Sequence, residues 1–280
     1  MHTHLARLLK LAIFAGAASQ TVLPAAWAVQ FPDKSLEAAL RALVFEKRDK
    51  TDELTEDDLR KISTLEAKGR GIQNLAGLEH CANLLLLDLA NNQVSDLGPI
   101  RGLANLQSLN LAGNKISDLT PLMELAKLQY LDLSGNQVRA LQPLSAMTKL
   151  SALYLAENQI SELAPLAGLA RLSSLDLAKN QVVDIGPLAN IARLSVLKLS
   201  DNQIETIAPA AEHPPQSMLF LERNKIADLA PLVEAAKRDA EGPKTFAPFL
   251  RLYLEGNLLS EAAKNEQLPA LKAAGVRIEN

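Results

Sequence analysis

The chain has 280 residues, of which 48% are hydrophobic but only 4% are aromatic, and about one residue in five is leucine. This aliphatic content excludes a disordered chain, and 13 glycines are too few for a collagen-like protein. The formal net charge of −3 gives no electrostatic reason to expect nucleic-acid or anionic-membrane binding. Many leucines with few aromatic residues suggest one small unit that is repeated many times.

The first 28 residues have the pattern of a secretory signal peptide. Arg7 and Lys10 give a mildly basic start, a largely apolar stretch follows over 11–23, and Ala26-Trp27-Ala28 supplies a small-x-small cleavage pattern. A membrane anchor is the alternative, but polar residues interrupt the apolar run well short of the roughly 20 residues that a spanning helix needs. We therefore predict cleavage of residues 1–28, no stable membrane insertion afterwards, and a secreted or periplasmic protein.

Two short helices are predicted between this segment and the repeats. Leu36, Leu40 and Leu43 lie on one face of a helix over 36–44, and Thr55 with an acid three residues later starts the second helix. The acidic run within 49–58 lacks the alternating ligands and central glycine of a calcium loop. It predicts a solvated acidic surface and not a metal site.

A 22-residue period dominates the rest of the chain. Seven prolines share it, from Pro99 to Pro231, and seven asparagines keep the same phase. An eighth asparagine ends the last coil, and these eight form a predicted structural ladder: Asn92, Asn114, Asn136, Asn158, Asn180, Asn202, Asn224 and Asn257. Chance does not keep seven copies in phase, so the sequence predicts a repeat architecture.

One unit can be interpreted residue by residue. Leu109 and Leu111 have the period of two that points both side chains to one face of a short strand. Asn114 follows at the turn, where its amide can satisfy backbone groups that strand pairing leaves bare. Pro121 suits the first turn of a short helix on the opposite side. Nine stacked coils then give a parallel sheet near 40 Å long, on the inside of a curved stack.

The frame LxxLxLxxNxIxDLxPLxxL resembles the leucine-rich repeat, in the 22-residue subclass found in bacterial internalins. Phe31-Pro32-Asp33 and the two predicted helices are similar to the internalin N-terminal cap. The resemblance implies an α/β solenoid, a right-handed horseshoe with its parallel sheet on the concave face and 3₁₀ or short helices on the convex face. It implies a helical cap over 29–63, repeats over 64–259 and a C-terminal cap over 260–280.

The repeat is broken near its end. Ala210, His213 and Gln216 replace aliphatic core positions, and the last asparagine step is 33 residues instead of 22. We assign the difference to an insertion at about 236–246, and we predict an enlarged helix over 232–239 that is ended by Gly242-Pro243. A tolerated insertion on the outer side is favoured over a second contact surface.

Catalysis has no positive indication in the sequence. The predicted mature chain keeps two histidines, His80 and His213, nearly six repeats apart, and no phosphate loop, metal-ligand spacing or nucleophile elbow is present. The only cysteine, Cys81, aligns with core leucines and is predicted to be buried and unreactive. We expect no enzyme activity, no metal and no cofactor.

The concave face is left as the surface for function. Side chains before and between the strand leucines point outward onto it, and they include aromatic, Met and Arg residues of the kind found at interface hot spots. The candidate partner-binding residues are Tyr130, Asp132, Tyr154, Asp176, Lys198, Met218, Phe220, Arg251 and Tyr253. For the aspartates, a structural filler is favoured over partner contact; for the aromatic residues and Met218 the preference is reversed.

The expected function is that of an exported, non-catalytic module that binds a protein through a rigid concave sheet. The resemblance implies adhesion or receptor engagement, but the sequence shows no wall-sorting tail, so we expect a periplasmic or secreted binder. A carbohydrate or peptidoglycan binder that uses Tyr130 and Tyr154 is the alternative. An unrecognised hydrolase is a third possibility with less support.

Overall fold

A computed structural model describes residues 28–279. The predicted signal peptide therefore lies outside the described residues, except for Ala28, which forms an antiparallel bridge with Thr55. Ten strands of three residues form one parallel sheet in chain order. They are β1 (Thr64–Glu66), β2 (Leu86–Asp88), β3 (Ser108–Asn110), β4 (Tyr130–Asp132), β5 (Ala152–Tyr154), β6 (Ser174–Asp176), β7 (Val196–Lys198), β8 (Met218–Phe220), β9 (Arg251–Tyr253) and β10 (Arg277–Glu279).

The sheet is the concave wall of a leucine-rich-repeat horseshoe. Each strand pairs with the next without a shift, so that Leu87, Leu109 and Leu131 stand directly beside one another. Nine coils were expected from the asparagine repeat, and the described chain adds a tenth strand, β10, after the last asparagine. At about 4.8 Å per step, the ten strands span roughly 43 Å.

The convex side is built from short helical segments that begin around the periodic prolines. Six of them are 3₁₀ turns. The first of the six, Leu78–His80, contains no proline. The other five have a proline near their start: Gly98–Ile100, Thr120–Glu124, Gln142–Leu144, Ala164–Leu166 and Gly186–Leu188. The next two coils carry α-helices, α3 (Ala208–Glu212) and α4 (Ala230–Glu241). Proline fits here because its fixed φ and missing N–H are compatible with a first helical turn.

The asparagines form a largely buried hydrogen-bonded ladder between coils. The amide nitrogen of Asn114 donates to the carbonyls of Leu89 and Leu111, both at 2.9 Å, and its oxygen accepts from the N–H of Val94 at 3.0 Å. The same pattern recurs at Asn92, Asn136, Asn158, Asn180, Asn202, Asn224 and Asn257. Each side chain thus satisfies backbone groups of two coils that would otherwise be buried without partners.

The first N-terminal helix ends earlier than the sequence pattern predicts. α1 (Lys34–Arg41) ends before Val44, so Leu43 lies beyond it and is 46% exposed instead of facing the core. α2 (Glu56–Arg60) begins with a reciprocal capping box between Thr55 and Asp58. Burial alone would raise the pKa of Asp58, but hydrogen bonds from Lys47 and Thr55 outweigh it and lower that pKa to about 2.

Asp33 joins this cap to the first coil. One carboxylate oxygen accepts from the N–H groups of Ser35 and Leu36 at the start of α1. The other accepts from the N–H groups of Gln73 and Asn74, at 2.7 and 3.1 Å. One side chain therefore fixes the orientation of the helix on the solenoid.

The break in the repeat is accommodated on the convex side. His213 and Gln216 are exposed, and Pro215 is buried beside them. The carboxylate of Asp239, near the end of α4, accepts three backbone N–H bonds and one hydroxyl bond from 245–247 and folds the insertion back on the helix. Phe246 is buried there. The chain closes with a π-helical turn (Ala263–Gln267), α5 (Leu268–Ala273) and β10.

Candidate partner-binding surface

The third residues of the strands form one column across the concave face, which we call the central column. The pairing register places Lys198 beside Phe220, and Phe220 beside Tyr253. From β1 to β10 the central column contains Glu66, Asp88, Asn110, Asp132, Tyr154, Asp176, Lys198, Phe220, Tyr253 and Glu279. The sheet thus converts a 22-residue period, and two final steps of 33 and 26 residues, into a single row of neighbours.

Phe220 and Tyr253 form a stacked aromatic pair on this face. Their ring centroids are 4.3 Å apart and the rings are within 9° of parallel. The ammonium nitrogen of Lys198 lies 5.7 Å from the centre of the Phe220 ring, a cation–π distance. Both rings are only partly buried. The result is a flat apolar surface with a cation at its edge.

Met218 and Arg251 extend this surface in the neighbouring column. They are register partners on β8 and β9, and Met218 is partly buried while Arg251 is exposed. The guanidinium Nε of Arg251 lies 3.3 Å from a carboxylate oxygen of Glu279. Glu279 is not among the residues predicted from the repeat, because β10 lies beyond the last repeat asparagine. We call Lys198, Met218, Phe220, Arg251 and Tyr253 the aromatic–cationic cluster.

Tyr130 and Tyr154, on β4 and β5, form a second aromatic pair four strands before the first. Their ring centroids are 5.5 Å apart, with a tilt of 46° between the rings. Burial, together with the nearby negative charge of Asp132, raises the pKa of Tyr130 to about 12. The Tyr130 hydroxyl is therefore a neutral hydrogen-bonding group over the whole physiological range. About 14 Å of sheet separates Tyr154 from Phe220.

The acids of the central column bind their own backbone. Asp88, Asp132 and Asp176 accept from the N–H two residues later, at 2.9, 2.9 and 3.1 Å, and Asn110 does the same at 3.1 Å. Asp176, a candidate for which a structural role was favoured, is only 8% exposed, and its carboxylate pairs with the Lys198 ammonium at 3.1 Å. These side chains stabilise the turn after each strand.

Residues 28–279 give no support for a metal site, a reactive cysteine or a membrane-spanning helix. No group of histidines, cysteines and acids there could hold a metal ion. Burial, and then the charge of Glu79, raises the pKa of the Cys81 thiol to about 12, so the thiol is protonated and inert at neutral pH. Within the same range, no helix combines the length and apolar character that crossing a membrane requires.

Comparison with known proteins places this architecture among leucine-rich repeats. The family described as Leucine Rich repeats (2 copies) matches residues 82–122 and 126–168. Internalin H of Listeria monocytogenes is 38% identical over 72 residues, which are 26% of this chain and 13% of that protein. The chain thus aligns with about an eighth of that relative's length.

Two crystal structures from Listeria monocytogenes cover more of the chain. Internalin C2 superposes with a TM-score of 0.69 and 37% identity, over 72% of this chain and 89% of that one. A second internalin, inlF, superposes with a TM-score of 0.68 and 25% identity, over 89% and 91% of the two chains. The likeness therefore extends over most of the solenoid and beyond the segments that the repeat family matches.

Proposed function

The chain belongs to the internalin-like family of leucine-rich-repeat proteins, and from this premise we propose that it is an exported, non-catalytic module whose aromatic–cationic cluster binds a partner protein. A protein-interaction role follows from the family and fold. Export, the absence of catalysis and the position of the contact surface are the proposed parts. The predicted signal peptide motivates export, and the lack of catalytic motifs motivates a binding role.

One observation carries the choice of surface. In the central column, Asp88, Asn110 and Asp132 bind the backbone N–H two residues later, and this bond gives each of them a structural role. Phe220 cannot accept such a bond, and neither Lys198 nor Tyr253 has the short acceptor side chain that it requires. Replacing Asp or Asn there forgoes roughly 0.5–1.5 kcal/mol of turn stabilisation. Contact with a partner is a role open to residues that do not make this turn bond.

The chemistry of the cluster indicates what it contacts. The Phe220–Tyr253 stack gives apolar area with few rotatable bonds, so little side-chain entropy is lost on binding. Lys198 lies beside Phe220 in the central column, and Arg251 lies on the strand of Tyr253 in the neighbouring column. A partner segment with an apolar or aromatic anchor next to carboxylates fits this arrangement. Because the sheet is held by the asparagine ladder, the surface is formed before the partner arrives.

Affinity capture from the exported fraction of the source cell tests the proposal. The mature chain serves as bait, beside the double variant Phe220→Ala/Tyr253→Ala and the control Tyr130→Ala/Tyr154→Ala. We expect a protein, identified by mass spectrometry, that is retained by the wild type and the control but lost from the cluster variant. Equal retention by all three baits would move the contact surface elsewhere, and retention lost only from the control would assign it to the other aromatic pair.

A carbohydrate or peptidoglycan ligand is the second candidate. The tilted Tyr130–Tyr154 pair beside Asp132 favours it, since sugars bind to aromatic faces next to hydrogen-bonding groups. Retention of the chain on purified peptidoglycan or on a glycan array, lost in Tyr130→Ala/Tyr154→Ala and kept in Phe220→Ala/Tyr253→Ala, would support this candidate. A hydrolase would instead show turnover of such material that one acid substitution removes.

A further inference from the structure

The last strand, β10, presents one edge that no other strand in residues 28–279 covers. It pairs with β9 alone, and the N–H of Arg277 donates to the carbonyl of Leu250 at 2.9 Å. Along a parallel strand, successive residues direct their backbone groups to opposite sides. Arg277 and Glu279 therefore bond inward to β9, while the N–H and the carbonyl of Ile278 point away from the sheet.

A free donor and a free acceptor on the same residue match one particular partner geometry. In an antiparallel ladder, every second pair of facing residues exchanges both of its backbone hydrogen bonds. When both residues are Ile278, the exchange is closed by a two-fold axis through the pair. We propose that β10 pairs antiparallel with β10 of a second copy of this chain, centred on Ile278.

The side chains of β10 are complementary to themselves in this arrangement. Two-fold pairing places Arg277 opposite the partner's Glu279 and Glu279 opposite the partner's Arg277, all on the concave side of the sheet. Arg277 is well suited to such a contact, because it stands beside Arg251 in the register and has no ion pair among the described residues. Glu279, now 3.3 Å from Arg251, is the acid that a second copy would supply to Arg277. Opposite charges facing each other across strands stabilise the pair.

The side of β10 that faces the core also supports the two-fold pairing. Ile278 is partly buried, and Leu259 and Leu268 are also packed only partly against the core at this end of the stack. Pairing would bring the two Ile278 side chains together and continue the leucine layer from one chain into the next. The product is one sheet of twenty strands with two aromatic–cationic clusters, which is an isologous dimer that can contact two partners.

Charge reversal tests the pairing through the oligomeric state of the full chain. Sedimentation equilibrium over a wide concentration range should show a monomer–dimer equilibrium. Arg277→Glu or Glu279→Arg alone places like charges opposite each other and should weaken the dimer about tenfold. The double variant Arg277→Glu/Glu279→Arg restores opposite charges and should regain most of the dimer. A monomer at every concentration, or a dimer indifferent to these changes, would overturn the proposal.

A cysteine cross-link tests the register independently. On the two-fold axis, the Cα atoms of the paired residues are about 5.5 Å apart, within disulfide range. Ile278→Cys should therefore form an intermolecular disulfide on mild oxidation. Arg277→Cys is the matched control. In the proposed pairing, the Cα atoms of residue 277 in the two copies are about 8 Å apart, which is too far for a disulfide. Cross-linking of the control and not of Ile278→Cys would exclude the proposed register. The native cysteine, Cys81, is buried and should not form intermolecular disulfides of its own.

Discussion

The two halves of the concave face have the same backbone but use their side chains differently. In the N-terminal half, Asp88, Asn110 and Asp132 bond to their own turns. In the C-terminal half, Phe220 and Tyr253 occupy the same column and stack on one another, and Lys198 lies beside Phe220 and pairs with Asp176. Side chains at equivalent positions of different coils therefore do not all have the same role. The role depends on whether the side chain is already used by its own coil.

The asparagine ladder should be equally important in both halves, and its loss should have the largest effect. Asn114→Ala and Asn202→Ala each leave buried backbone groups of two coils without a partner. We expect each to lower the free energy of unfolding by about 3 kcal/mol in urea titrations. Asn190→Ala, on the exposed convex side, is the control and should change it by less than about 0.5 kcal/mol. A large difference between the stability losses of Asn114→Ala and Asn202→Ala would show that the ladder does not stabilise the two halves equally.

Acid should loosen the N-terminal cap. The pKa of Asp58 is about 2 in the folded chain against 3.8 as its ordinary value, so its ionised form stabilises the fold above pH 4. That contribution, about 2 kcal/mol, is lost as the pH falls from 4 to 2. Asp58→Asn should therefore destabilise the protein at pH 7 but make little difference at pH 2. A stability loss that is the same at both pH values would assign the effect to packing instead of charge.

The turn bond of the acids can be separated from their charge. Asp132→Ala removes the acceptor for the Ser134 N–H and should cost about 1 kcal/mol of unfolding free energy. Asp132→Asn keeps an acceptor, as Asn110 does in the same column, and should be nearly neutral. Thermal or urea unfolding distinguishes the two. If both variants were equally destabilised, the carboxylate charge would be responsible and the structural role of the acids would need revision.

The smallest effect is expected at the turn residues with left-handed backbone. Gly113 and Gly135 have positive φ in the N-terminal half, whereas Glu157 and Lys179 adopt φ of 57° and 55° at the equivalent positions. Glu157→Gly relieves about 1 kcal/mol of backbone cost but loses an exposed ion pair with Lys179. The free energy of unfolding should stay within about 1 kcal/mol of the wild type. A clear loss would mean that the ion pair contributes more than exposed pairs usually do.

The sequence predicted most of the fold because the repeat is local and periodic. The spacing of Leu109, Leu111 and Asn114 specifies the strand, the turn and the buried ladder at once, and the same spacing recurs in almost every coil. The register of the sheet followed from the common phase. Glu279 and the strand β10 were harder to place, since the repeat pattern has already ended there.

The concave face could be predicted only as a set of outward positions. Which of those side chains are free depends on contacts that sequence spacing does not reveal. Asp176 has the same neighbours in sequence as Asp132, but its carboxylate is buried against Lys198. The folding of the insertion around Asp239 likewise depends on three N–H groups from six to eight residues later. Such contacts follow no period, and so they require the structure.

The central claim is that the C-terminal half of the concave face binds the partner while the N-terminal half supports the fold. Isothermal titration of the captured partner against two matched variants tests it most directly. Phe220→Ala/Tyr253→Ala should weaken the affinity at least about tenfold with little change in thermal stability. Asp88→Asn/Asp132→Asn, which keeps the turn acceptors, should bind within about twofold of the wild type. The opposite ranking of the two variants would contradict the account.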